Sequence, residues 1–341
     1  MQTKPVTRKE VAQRARVSVA VVSYVVNDGP RPVSPETRHK VERAIEELGY
    51  YPNELARSLS RQQTAIIGLI IPSLVNPVYA EIADSLTRYF ADRGYRVILG
   101  SSGRHHQTEV EFAKSLRAKR VDGVVVIPSE SPEEILEPLQ RARIPTVVFE
   151  HEIPNTHCIA IDDLQGGRLA TQHLLSLGHR RIAMIRRKPT SSLSHLRFVA
   201  FQQMLQEASI QLDPDLVIES AAGQANGYAS MQRLLALSQP PTAVFAHNDV
   251  LAMGAMSAIQ HAGLAVPHDI SIVGYDDTIG SAYLNPPLTT VKLPISEMGY
   301  VAGETILGLI KNGNMFPPKT ITLPVELILR ASTAPFRAAR F

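Results

Sequence analysis

From residue 64 to residue 330 the chain alternates apolar, strand-like runs with amphipathic, helix-like stretches, and no other feature constrains its fold as much. That alternation argues for parallel sheets with helices on both faces. Strands are expected over 64–71, 95–100, 121–127, 146–149 and 158–161. Helices are expected between them over 77–93, 108–119 and 132–142, the last capped by Ser131. A second series follows, with helices near 165–177, 194–207, 227–237 and 250–262 and strands near 181–186, 216–219, 243–246 and 270–274. Two sets of similar length predict two lobes with a cleft between them. The late strand 288–292, helix 296–311 and strand 320–329 do not fit neatly in one lobe.

Ligands of parallel α/β sheets sit beyond the carboxyl ends of the strands. Asn76 and Tyr79 follow the first strand, and Glu150 follows Val147-Val148-Phe149. Asn248 and Asp249 follow Val244-Phe245-Ala246, Asp276 and Asp277 follow Ile272–Tyr275, and Arg197 stands near the start of the helix after strand 181–186. Such groups converging on a cleft suit the hydroxyls of a small polar ligand, with Tyr79 or Phe149 offering an apolar face. Asp249 and Asp277 are expected to cap helices or bond structurally rather than touch the ligand.

The first sixty residues have another pattern. Thr7 and Glu10 have the spacing of a capping box, and Val11, Ala12 and Ala15 form one apolar stripe. Ser18 is an N-cap for a second helix whose buried face is Val22, Val25 and Val26. Its outer face near the N-terminus is left with Val19, Ala20, Ser23, Tyr24 and Asn27, which reads as a helix-turn-helix presenting its second helix to a DNA major groove. Ser34-Pro35-Glu36 starts a third helix with Val41, Ala44, Ile45 and Leu48 inside, and Gly49 ends it. Residues 53–60 have helix propensity but are too few for an isolated helix, so they read as a linker that folds when a partner supplies a surface. Residues 1–61 hold eleven Lys and Arg against seven Asp and Glu, so the whole +3 net charge of the chain sits there, as phosphate neutralisation requires.

Several classes are excluded. The lone Cys158 forbids an intramolecular disulfide and any cysteine-cluster metal site, and its apolar surroundings predict a core residue. His105-His106 has no Cys or further His at metal spacing and reads as a surface pair, so no metal is expected. The phosphate-loop, HExxH and GxSxG motifs are missing, and the neighbouring acids Asp162-Asp163 and Asp276-Asp277 project differently, unlike a glycosidase pair. Neither an enzyme nor a cofactor is expected. The beginning of the chain lacks an apolar leader, and no run of 18 apolar residues occurs, so the expectation is a cytoplasmic protein without membrane partner.

The segments VTRKEVAQRARVSVAVVSYVVN, VSPETRHKVERAIEELGYYPNELARSLS, NPVYAEI, HLLSLGHRRIAMI, PTAVFAHNDVLAMGAM, DISIVGYDDT and PPLTTVKLP resemble the lactose-repressor/galactose-repressor (LacI/GalR) family of bacterial transcription factors, in order and across practically the whole chain. The resemblance implies an all-α helix-turn-helix headpiece at 1–50, a hinge at 51–63 and a two-lobed α/β domain of the periplasmic-binding-protein fold at 64–341. The chain would cross between lobes near 161, 292 and 320, giving an N-lobe of about 64–161 and 293–319 and a C-lobe of about 162–292 and 320–331. It implies that Val19, Ala20 and Tyr24 read bases and that Ser18, Ser23 and Asn27 hold phosphates. Thr7, Val21 and Asn53 complete the expected DNA contacts, and Ala56 and Leu59 enter the minor groove at the hinge. Arg197, Asn248 and Asp276 match the family's strongest effector positions, and Tyr79, Glu150 and Asn76 weaker ones.

This sequence departs from the family pattern at several places. Tyr24 stands where Arg is usual, Arg16 where the turn usually has glycine, Ala222 where an aromatic is common and Glu150 where Asp is common. The pocket departures leave open a larger effector than a simple monosaccharide or a partly degenerate pocket. The expected function is a homodimeric repressor that binds double-stranded operator DNA under control of a small-molecule, sugar-like effector. The alternatives are a two-lobed sugar-binding protein without a regulatory role and a sugar-metabolising enzyme. No leucine heptad follows Arg330, so the dimer is the smallest unit expected.

Overall fold

The computed structural model describes residues 6–27, 29, 31–51, 63–187, 195–313 and 317–337, in two compact units, 1–64 and 65–341. Asn53, Ala56 and Leu59 lie outside the described residues.

The first unit holds α1 (Arg8–Ala15), α2 (Val19–Asn27) and α3 (Pro35–Leu48). The Glu10 carboxylate accepts from the Thr7 backbone N–H at 2.7 Å and from its hydroxyl, which closes the N-terminus of α1. Ser34 Oγ accepts the Thr37 N–H at 3.3 Å and starts α3. Val11, Ala12, Ala15, Val22, Val25, Val41 and Ala44 form the small core, with Val26, Ile45 and Leu48 packed at its edge. Tyr50 closes this core and accepts from Arg8 Nε at 3.2 Å, a contribution the helical stripes did not announce. Arg14 reaches across to Glu47 in an ion pair that ties α1 to α3. The turn after α1 is made by Arg16 in the left-handed region (φ 55°), the conformation for which glycine is the cheap residue.

The second unit is built on two six-stranded sheets. The first contains β1 (Ile66–Ile71), β2 (Arg96–Ser101), β3 (Gly123–Val126), β4 (Thr146–Phe149), β5 (His157–Ile161) and β11 (Thr320–Leu323). Its order is β11-β5-β4-β3-β1-β2, all parallel. The second contains β6 (Ile182–Arg187), β7 (Val217–Ser220), β8 (Ala243–Ala246), β9 (Ser271–Asp276), β10 (Thr289–Lys292) and β12 (Glu326–Ile328). It runs β12-β10-β9-β8-β6-β7, with β12 alone antiparallel, to β10.

Around these sheets lie α4 (Pro77–Ala91), α5 (His106–Ala118), α6 (Glu133–Arg141), α7 (Asp163–Ser176), α8 (Leu196–Glu207), α9 (Gln224–Leu235), α10 (Asp249–His261) and α11 (Ile295–Asn312). Fully buried Phe90, Phe149, Phe201, Phe245 and Tyr275 fill the space between strands and helices, worth roughly 1.5–3 kcal/mol each on hydrophobic transfer. Cys158 is buried in β5, and that burial pushes its thiol up to about 11.

Four expectations need correction. Residues 320–329 are not one strand of the second lobe, because Pro324 removes a ladder donor. The chain instead splits there into β11, paired with β5 of the first sheet, and β12, paired with β10 of the second. The third crossing between lobes therefore falls at 324–325 and not at 320, while the other two lie between β5 and α7 and between β10 and α11. Ser131 is not the cap of α6: Pro132 holds that place and makes no side-chain cap bond. Asp162 Oδ1 accepts the Gln165 N–H at 2.9 Å, which starts α7 two residues before the expected 165 and makes Asp163 its first residue.

Candidate functional site

In the first unit, α2 turns its N-terminal end outward. Val19 is 45% exposed, and Ser18 and Ala20 are exposed beside it. Ser18 Oγ accepts the Val21 N–H at 3.3 Å, so the sequence-expected N-cap is made. Val21, Ser23, Tyr24 and Asn27 are half-buried, and Asn27 Nδ2 donates to Ser23 Oγ at 3.2 Å. Tyr24 is held from behind. Gly29 donates its N–H to the Tyr24 carbonyl at 3.0 Å, and a Cβ on Gly29 would stand 2.7 Å from Tyr24 Cδ1. Thr7 directs both N–H and hydroxyl to Glu10.

In the second unit the carboxyl ends of the strands converge on a cavity of about 70 Å³ between the lobes. Asn76, Tyr79, Glu150, Arg197, Asn248 and Asp276, the six residues expected from the sequence, all line it. Asn76 arrives at the start of α4, where its Oδ1 accepts the Val78 N–H at 3.3 Å. Asn248 caps α10 through Oδ1, 3.0 Å from the Leu251 N–H, which leaves its amide N–H groups for another acceptor. Asp276 ends β9 with φ 116° and Glu150 follows β4 with φ 59°, conformations that L-residues adopt only when the surroundings impose them.

Arg197 is the best-anchored of the set. Its Nε donates to Asp163 Oδ1 at 2.9 Å, its Nη1 donates to the His247 carbonyl at 2.7 Å, and its guanidinium carbon lies 3.6 Å from the Tyr275 ring centroid. The Tyr275 hydroxyl donates to the same Asp163 oxygen at 2.7 Å. Tyr275 comes this close because position 166 is glycine, where a Cβ would meet its hydroxyl at 2.2 Å.

Burial, reinforced by the charge of Asp163, pushes the Glu150 carboxyl up to about 7. Burial also holds Asp276 well above the usual carboxylate range despite nearby Arg197. His247 is driven well below its ordinary value, first by burial and then by Arg197 and Arg187, so its ring is neutral.

Asp249 and Asp277 do structural work, as expected. Asp249 accepts from the Thr278 N–H at 2.9 Å, the Ser281 hydroxyl at 2.5 Å and the Thr290 hydroxyl at 2.6 Å. Asp277 pairs with Arg330 at 2.7 Å. The cavity also has walls that sequence reasoning passed over: Arg104, Ser129, His151, Asp163, Arg187 and His247. Each lies at or just beyond the carboxyl end of a strand, so the rule that found the other six would have found these if applied to every strand.

Comparison with known proteins places both units. Residues 7–53 match the family profile described as bacterial regulatory proteins, lacI family, and residues 171–333 match a periplasmic binding protein-like domain. The chain is 36% identical over 331 residues to the HTH-type transcriptional regulator DegA of Bacillus subtilis, covering 96% of this chain and 97% of that protein. It is 37% identical over 328 residues to the ribose operon repressor of Haemophilus influenzae, covering 96% of this chain and 98% of that one. Among solved structures it resembles the Lac repressor dimer bound to operator and the anti-inducer ONPF, with a TM-score of 0.86 at 31% identity over 97% of this chain and 100% of that chain.

Proposed function

The chain belongs to the LacI family of bacterial transcriptional regulators, and on that premise we propose the residues by which it reads DNA and senses a small molecule. It is a DNA-binding regulator of the repressor type and not an enzyme. Its partners are double-stranded operator DNA, a small-molecule effector and a second copy of itself. No described helix is long and apolar enough to cross a membrane, and a protein that acts on bacterial operators is placed by this reading in the cytoplasm.

The headpiece of residues 1–50 lays α2 in the major groove. There Val19, Ala20 and Tyr24 meet base edges, while Ser18, Ser23 and Asn27, with Thr7 and Val21 beside them, face the phosphates. The hinge of residues 51–63 brings Asn53, Ala56 and Leu59 to the minor groove, with Leu59 of each copy wedged into the central base step. In the cleft, Arg197, Asn248 and Asp276 hold the effector, with Asn76, Tyr79 and Glu150 completing its surroundings from the other lobe. A ligand bound by both lobes stabilises one relative orientation of them. The separation of the two hinges follows, and operator affinity changes by the coupling energy, typically about 1–3 kcal/mol.

The observation that carries this reading is the similarity to a named operon repressor running through both units over 96% of the chain. A sugar-binding protein sharing only the two-lobed fold would not contain the first unit. Selection of the full chain on random DNA tests the reading. It should recover a pseudo-palindromic site bound far more tightly than bulk DNA, and Leu59→Ala should weaken that site much more than bulk DNA. Equal losses on both would remove the wedge from the account.

A further inference from the structure

We propose that the effector is a hydroxylated small molecule bearing one anionic group, a carboxylate or a phosphate, gripped between Arg104 of the first lobe and Arg187 of the second. The inference rests on the reading of the cleft as the effector site and names the chemistry of its ligand.

The cavity wall holds three guanidinium groups, from Arg104, Arg187 and Arg197. Of the three, among the described residues, only Arg197 pairs with an acid, Asp163, whose Oδ1 also accepts from the Tyr275 hydroxyl. Arg187 and Arg104 form no ion pair with any described residue, although the Arg104 guanidinium lies 5.8 Å from the Tyr79 ring centroid. Residues 188–194, which follow Arg187, contain no Asp or Glu that could serve it. Its neighbour Arg186 shows the contrast, pairing with Glu219 at 3.3 Å and lying over Phe198 at 4.2 Å.

Arg104 and Arg187 are half-buried, and a cation partly withdrawn from water without a counter-charge carries a cost that a neutral sugar does not relieve. An anion does, and the planar fork of arginine fits carboxylate or phosphate in a bidentate manner. The remaining acids of the wall do not substitute for it. Burial raises Glu150 to about 7, so near neutrality it is not a full negative charge, and burial pushes the Asp276 carboxyl in the same direction. Burial and then the charge of Arg104 both oppose ionisation of Arg187, so the two arginines repel each other across the cleft. An anion between them converts that repulsion into a bridge from one lobe to the other.

The hydroxylated part has its own partners. Ser129 Oγ and His151 Nε2 are buried in this wall with no hydrogen-bond partner, at 7% and 8% exposure of their residues. The Nδ1 of His151 faces the Phe149 carbonyl at 3.3 Å and burial keeps the ring neutral, so Nε2 is an acceptor suited to a ligand hydroxyl.

Thermal denaturation of the full chain against five- and six-carbon aldonates, the matching aldose phosphates and the matching neutral aldoses tests this. Stabilisation confined to aldonates assigns the carboxylate, and stabilisation confined to phosphates assigns the phosphate; either supports the proposal. Titration calorimetry with the active compound should then show at least a tenfold loss of affinity in Arg187→Leu and in Arg104→Leu, with Arg187→Lys between wild type and Arg187→Leu. Circular dichroism of each variant confirms that it is folded. Neutral aldoses binding as tightly as their acids and phosphates, or unchanged affinity for the anion in both leucine variants, would overturn the anionic ligand while leaving the cleft as effector site. Silence from all three classes would overturn both.

Discussion

Asp163 and Arg197 form an ion pair almost closed to water, Oδ1 to Nε at 2.9 Å, with side chains 4% and 8% exposed. Asp163 is the first residue of α7 and Arg197 the second of α8, and the Tyr275 hydroxyl from β9 shares the same carboxylate oxygen. The pair thus fixes the floor of the cleft and the best-anchored candidate ligand side chain together. Breaking such a pair from one side leaves a buried charge alone. Asp163→Ala should cost about 3–5 kcal/mol in urea unfolding, whereas Tyr275→Phe should cost only about 1 kcal/mol. Equal costs would show that the hydroxyl, not the ion pair, organises this corner.

Glu150 makes stability depend on pH. Its carboxyl is raised from 4.5 to about 7 in the folded chain, so the folded state holds its proton more tightly than the unfolded state does. The stability tied to that proton is fully present below pH 4.5 and is lost as pH rises to about 7. Glu150→Gln should therefore melt close to wild type at pH 5 and be more stable at pH 8, by about 2 kcal/mol after allowance for solvent screening. A difference of the opposite sign at pH 8 would mean that Glu150 is stabilised as a carboxylate.

Arg16 holds a left-handed conformation at φ 55° in the turn before α2. That conformation costs an L-residue about 1–2 kcal/mol, partly offset by the greater unfolded-state entropy of glycine. Arg16→Gly in the full chain should slow hydrogen exchange of the α1 and α2 amides by about 0.5 kcal/mol of added local stability. Faster exchange would show that the arginine side chain contributes more than the backbone loses.

Tyr24 offers bases one hydroxyl and a ring, whereas arginine offers a fork that fits guanine O6 and N7. Tyr24→Arg should change the bases preferred under the recognition helix, read by selection from random DNA. An unchanged preference would place Tyr24 away from the base edges.

The large features were legible because they rest on local rules. Apolar runs marked the strands, and the capping residues Thr7, Ser18 and Ser34 marked helix starts in the first unit. Three things were not legible. The break at Pro324 requires knowing that β5 and β10 each lack a neighbour, which is a property of two sheets rather than of one segment. Asp163 looked like half of an adjacent acid pair because its partners Arg197 and Tyr275 are 34 and 112 residues away. Arg104 and Arg187 drew no notice, since a sequence does not show which cations will face each other across a cleft.

Effector control of this protein requires coupling between the cleft and the DNA-binding unit. The most direct measurement is the affinity of the full chain for its selected DNA site, with and without the compound that raises its melting temperature, in wild type and in Asp276→Ala. In wild type the compound should change DNA affinity by roughly 5- to 150-fold. In Asp276→Ala, DNA should bind as it does to ligand-free wild type and the compound should change nothing. A full response surviving in Asp276→Ala would contradict the assignment of the cleft.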